Sequence, residues 1–355
     1  MKPIERITLL CALIAVADAC SSDKHVLGPS GSKLLTADAA AADQPAYGPW
    51  GTPVNLGPVV NSPYNDNSPA ISKDGLSLYI TSSPLPSPPG SRPGGRGGAD
   101  IWVSQRPTTD APWGEPVDLG PNVNSAGNDG VPSLSTDGHR LYFHSTGRGG
   151  CGAADMFVSR RQDKRDDFGW EPPENLGCVV NSPFADNGPT IFEDDATGIT
   201  TLYFNSLRPG GLGDVDIYAS TLQADGTFGS GVNVSELNSP FADDRVAIRR
   251  DGLEIFVSTN RPGGVGSQDI WVATRATTLD PWSPPVPLGP VVNSPYFDGG
   301  PALSFDGTEL YFFSERPGGF GGRDLYVSTR ARLRGPDVAE HAEAADRRRE
   351  RNERP

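Results

Sequence analysis

An all-β, five-bladed β-propeller of four-stranded antiparallel blades is the fold class that the sequence predicts, and three observations predict it. An aromatic residue opens a unit at Trp50, Trp113, Trp170, Phe228 and Trp282, so the unit is about 55 residues long. An Asp-Gly hairpin signal follows at Lys73–Gly75, Thr136–Gly138, Arg250–Gly252 and Phe305–Gly307, stretched in the third unit to Glu193–Gly198. A glycine loop then recurs as Arg92–Asp100, Gly147–Asp155, Arg208–Asp216, Arg261–Asp269 and Arg316–Asp324, and its glycines suit tight turns. One sheet of this size cannot bury its faces alone, so the copies must stack on each other.

Residues 1–20 read as a targeting segment. Lys2 and Arg6 precede an apolar run, Ile7–Ala17, and Ala17–Cys20 has the form of a lipoprotein cleavage box. Cys20 is therefore the expected lipidation site, with plain secretion as the alternative. Residues 21–49 are rich in Ala, Ser and Asp without a period and read as a flexible linker. Residues 50–330 hold the repeats. The chain starts with an orphan outer strand, Pro53–Gly57, and ends on a blade lacking one, Pro301–Ser328. The N-terminal strand is expected to complete that blade and close the ring, which removes an open sheet edge. Residues 331–355 form a charged tail, disordered or a frayed helix.

The inner strands are expected at Pro69–Ser72, Pro132–Ser135, Pro189–Phe192, Val246–Arg249 and Pro301–Ser304. None of these offers an acid, which argues against the paired carboxylates that glycoside hydrolysis uses. Asp100, Asp155, Asp216, Asp269 and Asp324 are expected to accept N–H groups of their own glycine loops. The loops leading into the inner strands should share a face with the glycine loops. There Asp66, Asp186, Asp243 and Asp298 would meet Arg92, Arg208, Arg261 and Arg316, while unit two has Gly147 in the Arg slot and Arg148 beside it.

The repeat is broken on that same loop-rich face. Unit one inserts a Pro-rich segment, Ser83–Ser91, including Pro86, and the loop aromatics Tyr64, Phe184, Phe241 and Tyr296 give way to Gly127 in unit two. The candidate binding set is accordingly Tyr64, Asp66, Pro86, Arg92, Phe184, Arg208, Phe241, Arg261, Tyr296 and Arg316. Arg245 replaces a smaller residue ahead of the fourth inner strand, and His139 and His144 are expected to be solvated. Cys11 and Cys20 fall in the targeting segment, so Cys151 and Cys178 are expected to form a disulfide after export. A net charge of −14 argues against nucleic acid. No HExxH, CxxC, G-x-S-x-G or phosphate-loop motif occurs, so no catalytic residue, metal site or cofactor is expected.

The run P-x-hydrophobic-S-x-D-G-x-x-L-Y-F-x-S-x-R-P-G-G-x-G-x-x-D-I-W-V resembles the WD-repeat-like propeller units of the TolB type, over roughly residues 50–330. The resemblance implies a monomeric, non-catalytic scaffold of the bacterial envelope, in the periplasm or at the outer membrane. It would engage envelope proteins or cell-wall glycan such as peptidoglycan through the loop-rich face, touching the membrane by its lipid anchor alone. The alternative is a secreted glycan hydrolase or lyase with loop-borne carboxylates.

Overall fold

The computed structural model describes residues 46–86 and 89–333. The expected targeting segment with Cys20, most of the linker and the charged tail lie outside the described residues. The described residues form one compact unit.

Five four-stranded antiparallel sheets make the blades. From inner to outer strand, blade 1 is Asn65–Ile71, Ser77–Ser83, Asp100–Gln105 and Val117–Asp118. Blade 2 is Asp129–Leu134, Arg140–Ser145, Asp155–Arg160 and Glu174–Asn175. Blade 3 is Asp186–Glu193, Thr200–Ser206, Asp216–Thr221 and Val232–Asn233. Blade 4 is Asp243–Ile248, Glu254–Thr259, Asp269–Thr274 and Val286–Pro287. Blade 5 is Asp298–Leu303, Glu309–Ser314 and Asp324–Thr329, completed by Val54–Asn55 from the N-terminal side. Successive inner strands touch, and the fifth touches the first, so the ring is closed.

Closure rests on a short ladder, Val54 opposite Val327 and Asn55 opposite Tyr326. Asn61 strengthens it by accepting from the Leu325 N–H at 2.8 Å and donating to the Leu325 carbonyl at 3.1 Å. Beyond the expected boundaries, Ala46–Tyr47 also pairs with Arg332–Leu333.

The core lies between blades. Each of five apolar clusters joins two consecutive blades, as Tyr79, Ile101 and Val103 of blade 1 pack on Leu141, Phe143 and Phe157 of blade 2. Each fully buried side chain of this kind contributes about 1.5–3 kcal/mol. Polar links repeat at every junction. The N–H of Asp66, Asp129, Asp186, Asp243 and Asp298 donates to a carbonyl just ahead of the previous blade's third strand. The glycine loops have to be bare there. A Cβ at Gly321 would come 1.8 Å from the Tyr64 carbonyl oxygen, and one at Gly213 would come 1.9 Å from that of Phe241.

A second repeated latch sits at the opposite rim. Arg106, Arg161, Arg275 and Arg330 follow their third strands and lie over Trp113, Trp170, Trp282 and Trp50, 4.1–4.3 Å from the ring centres. Each also donates through Nε to the carbonyl of its hairpin glycine, Gly75, Gly138, Gly252 or Gly307. In the sequence these arginines stand six residues after each glycine-loop aspartate, with Leu222 in the third unit.

Candidate functional site at the propeller axis

Each inner strand carries a buried aspartate at its first position, or at its second in blade 1, and then bulges. The bulge residue has positive φ in all five blades: Ser68 at 49°, Val131 at 52°, Gly188 at 62°, Arg245 at 37° and Gly300 at 61°. The ladder skips a position there in every blade. In four blades the next residue is proline, which has no N–H to give and so suits a bulge. Glycine takes this conformation freely, but Ser68, Arg245 and above all the β-branched Val131 do not. Such strain costs on the order of 1–3 kcal/mol per residue and gathers at functional sites.

Beside the bulges, the second strands present Thr81, His144, Asn205, Ser258 and Phe313 at equivalent ladder positions. Thr81 accepts the Val131 N–H and Ser258 the Gly300 N–H, both at 2.9 Å, so each clasps the bulge of the next blade. His144 and Asn205 occupy the same position in blades 2 and 3, yet Nδ1 of one and Oδ1 of the other are buried without a partner. Burial, reinforced by the Arg245 charge, pushes the His144 pKa down to about 4. The imidazole is therefore neutral at physiological pH and keeps a ring nitrogen free to accept.

Arg245 lies across this ring. Its Cγ comes within 3.5 Å of the point where a Cβ would stand on Gly188, and one terminal nitrogen within 3.5 Å of that point on Gly300. The side chain thus spans from blade 3 to blade 5, and glycine at both contacts makes the room. Its guanidinium is 5.5 Å from the Phe313 ring centre, and its Nε is 3.7 Å from the Asp244 carboxylate.

Between the bulges and the Asp-Gly hairpins the inner strands enclose a cavity of about 160 Å³. Ala70, Leu134, Ile191 and Leu303 supply apolar wall, Ser133, Ser135 and Thr190 supply hydroxyls, and the ionisable lining is Lys73, Glu193, Arg245 and Arg250. Glu193 accepts the Thr136 N–H through Oε2 at 2.8 Å. Arg250 bonds the Glu193 carbonyl and pairs with Asp195. The Lys73 ammonium lies 4.5 Å over the Phe305 ring. Glu193 and Asp244 stand toward opposite ends of neighbouring inner strands, so they do not form a close carboxylate pair. No group of three or more metal-ligating side chains occurs among the described residues.

The residues singled out on the loop-rich face line none of this cavity. Asp66, Asp186, Asp243 and Asp298 are fully buried, each holding a serine N–H and hydroxyl of its own loop. Each is also paired with Arg92, Arg208, Arg261 or Arg316 at 2.5–2.9 Å. These pairs staple loops. In blade 2, Arg148 reaches only 3.7 Å from Asp129, and one Asp129 oxygen is left without a partner. Phe184, Phe241 and Tyr296 are exposed, while the Pro-rich insertion forms a small ladder, Leu85–Pro86 against Pro89–Gly90, whose Gly90 abuts the Tyr64 ring. Pro86 is exposed at its tip. Cys151 and Cys178 form a disulfide, tying the second glycine loop to the residues after its outer strand.

Two expectations need correction. The inner strands begin three or four residues before the expected positions and so contain acids, among them Asp244, and the third runs on to Glu193. The proline expected to open four of these strands marks a bulge inside each of them. His144 is not a solvated residue: its Nδ1 is buried and its ring packs beside Gly130, its ladder partner.

No protein-family model matches the chain, and no curated protein matches it. Solved structures do match. An α-L-arabinofuranosidase from Lactobacillus brevis superposes with a TM-score of 0.52 at 15% identity, over 80% of this chain and 94% of that one. The fold is shared with glycoside-hydrolase propellers. A GH62 hydrolase solved with xylotriose gives 0.52 at 12% identity, over 82% and 99% of the two chains. An α-L-arabinofuranosidase from Podospora anserina, solved with cellotriose, gives 0.50 at 13%, over 81% and 96%.

These neighbours correct the expected TolB-type kinship. The readings as a non-enzyme, as an envelope scaffold, and as a binder of envelope proteins held by a membrane anchor fall with it. The non-enzyme reading leaned on inner strands without acids, and the observed strand boundaries remove that support.

Proposed function

We propose that the protein is a glycan-cleaving propeller, a glycoside hydrolase whose substrate occupies the axial cavity. The observation that carries this reading is the departure from five-fold repetition at the axis. Strained bulges, an axial arginine and unpartnered acceptors gather there, in a fold whose solved examples include enzymes crystallised with oligosaccharides. Cleaving a glycosidic bond requires a proton on the leaving oxygen. Glu193, the one carboxylate in the cavity lining, is assigned that transfer. Asp244 stands 3.7 Å from the Arg245 Nε and is absent from the cavity lining. Export to an oxidising compartment is part of the proposal, supported by the Cys151–Cys178 bridge.

A second reading, β-elimination, is favoured by the lack of a close carboxylate pair beside several cations. In that chemistry a cation neutralises a uronate carboxylate, a base removes the adjacent ring proton, and the bond to the leaving oxygen breaks.

The test incubates the full chain with arabinan, arabinoxylan and polygalacturonate, reading new reducing ends and the ultraviolet absorbance of unsaturated products. Wild type is expected to release ends from at least one glycan, and Glu193→Gln to lower kcat about 100-fold or more. Absence of cleavage across the panel, or undiminished turnover by Glu193→Gln, contradicts the proposal. Unsaturated ends would replace hydrolysis by elimination.

A further inference from the structure

We propose that the axial cavity selects an anionic, uronate-bearing glycan, with the sugar carboxylate held by Arg245 and approached past Lys73 and Arg250. This inference rests on the cavity being a glycan site.

The charge distribution carries it. The chain has a net charge of −14, yet Lys73, Arg245 and Arg250 face a single acid, Glu193, in the cavity lining. A cationic cleft in an acidic molecule focuses anions toward itself. The three cations differ in how far they are already engaged. Arg250 is committed to the Glu193 carbonyl and to Asp195. Lys73 is exposed and, among the described residues, meets the Phe305 ring without an ion pair. The Arg245 guanidinium has Asp244 beside its Nε only, at 3.7 Å, too long for a hydrogen bond. Its terminal nitrogens are therefore open to a planar carboxylate, the group that a guanidinium fork fits best. A neutral pentose would leave them without a charged partner. The Ser133 hydroxyl on the wall accepts the Ile191 N–H and keeps its proton to donate to a sugar hydroxyl.

The experiment measures binding by calorimetry, with the full chain, oligogalacturonate and neutral xylotriose as probes. Oligogalacturonate is expected to bind at least about tenfold tighter, with the margin shrinking as salt rises. Arg245→Gln is expected to weaken oligogalacturonate about tenfold or more, and more than it weakens xylotriose, while Lys73→Gln weakens oligogalacturonate several-fold. Lys73 lies on an exposed hairpin, so its variant tests the idea even if Arg245→Gln fails to fold. Equal affinity for the two probes, or a preference for oligogalacturonate that neither variant reduces, overturns the inference. Because turnover is not read, selective binding without cleavage would sink the catalytic proposal alone, and cleavage of neutral glycans with no anion preference would sink this one alone.

Discussion

Replacing Asp167 by alanine is expected to destabilise the propeller by about 3–5 kcal/mol, because it leaves a buried guanidinium unpaired. Asp167 and Arg161 are 2.6 Å apart with side chains only 3% and 2% exposed. The carboxylate also accepts from Ser77, Tyr79 and Gln105 of blade 1, so a residue following blade 2's third strand fastens two blades together. Burial raises the Asp167 pKa, but hydrogen bonds from Ser77, Tyr79, Arg161 and Gln105 outweigh it and hold the group below its usual value. A depressed carboxylate stabilises the fold above its unfolded value, about 3.9, and loses that contribution as pH falls through the lower folded value. Wild type should therefore lose stability across that acidic window more steeply than Asp167→Ala. Denaturant melts at neutral and acidic pH measure both effects, and identical midpoints for the two proteins at neutral pH would contradict them.

Deleting residues 46–57 is expected to open the ring and cost at least about 3–5 kcal/mol, the penalty of losing one large packed aromatic. The deletion removes Trp50, which packs 5.9 Å from Phe256 and lies 4.3 Å from the Arg330 guanidinium, together with the outer strand of blade 5. The third strand, Asp324–Thr329, then becomes an unpaired edge, and such edges recruit other chains. A lowered melting temperature accompanied by concentration-dependent light scattering is the expected outcome. Trp50→Ala should show the first effect without the second. Unchanged melting after the deletion would mean that Val54–Asn55 does not close the ring.

The blade count and the closing strand were legible because each rests on short-range signals repeated at a fixed interval: Asp-Gly hairpins, glycine loops and opening aromatics. The axis was harder to read. Proline at 69, 132, 189 and 301 looks like the start of a strand, since it cannot serve the ladder inside one, and a bulge is the exception that admits it. Reading the fourth strand by analogy with those prolines left Asp244 outside it, and counting Glu193 as the start of the stretched hairpin left it outside the third. A signal for the axial ring did exist. Thr81, His144, Asn205, Ser258 and Phe313 each fall six or seven residues after a hairpin glycine, so aligning the units exposes the imidazole and the amide as the odd members. The loop face poses the opposite difficulty. Its Asp and Arg residues repeat because they staple loops, and a repeated structural pair has the same residue types as a binding site.

We propose that the axis, rather than the loop-rich face, is where this protein meets its ligand. A crystal structure of the full chain soaked with the glycan fragment that it binds tightest decides between the two. Sugar density is expected between the bulge ring and the Asp-Gly hairpins, against Arg245 and Glu193. Density instead beside Phe184, Phe241 and Tyr296, with the axial cavity empty, would contradict it.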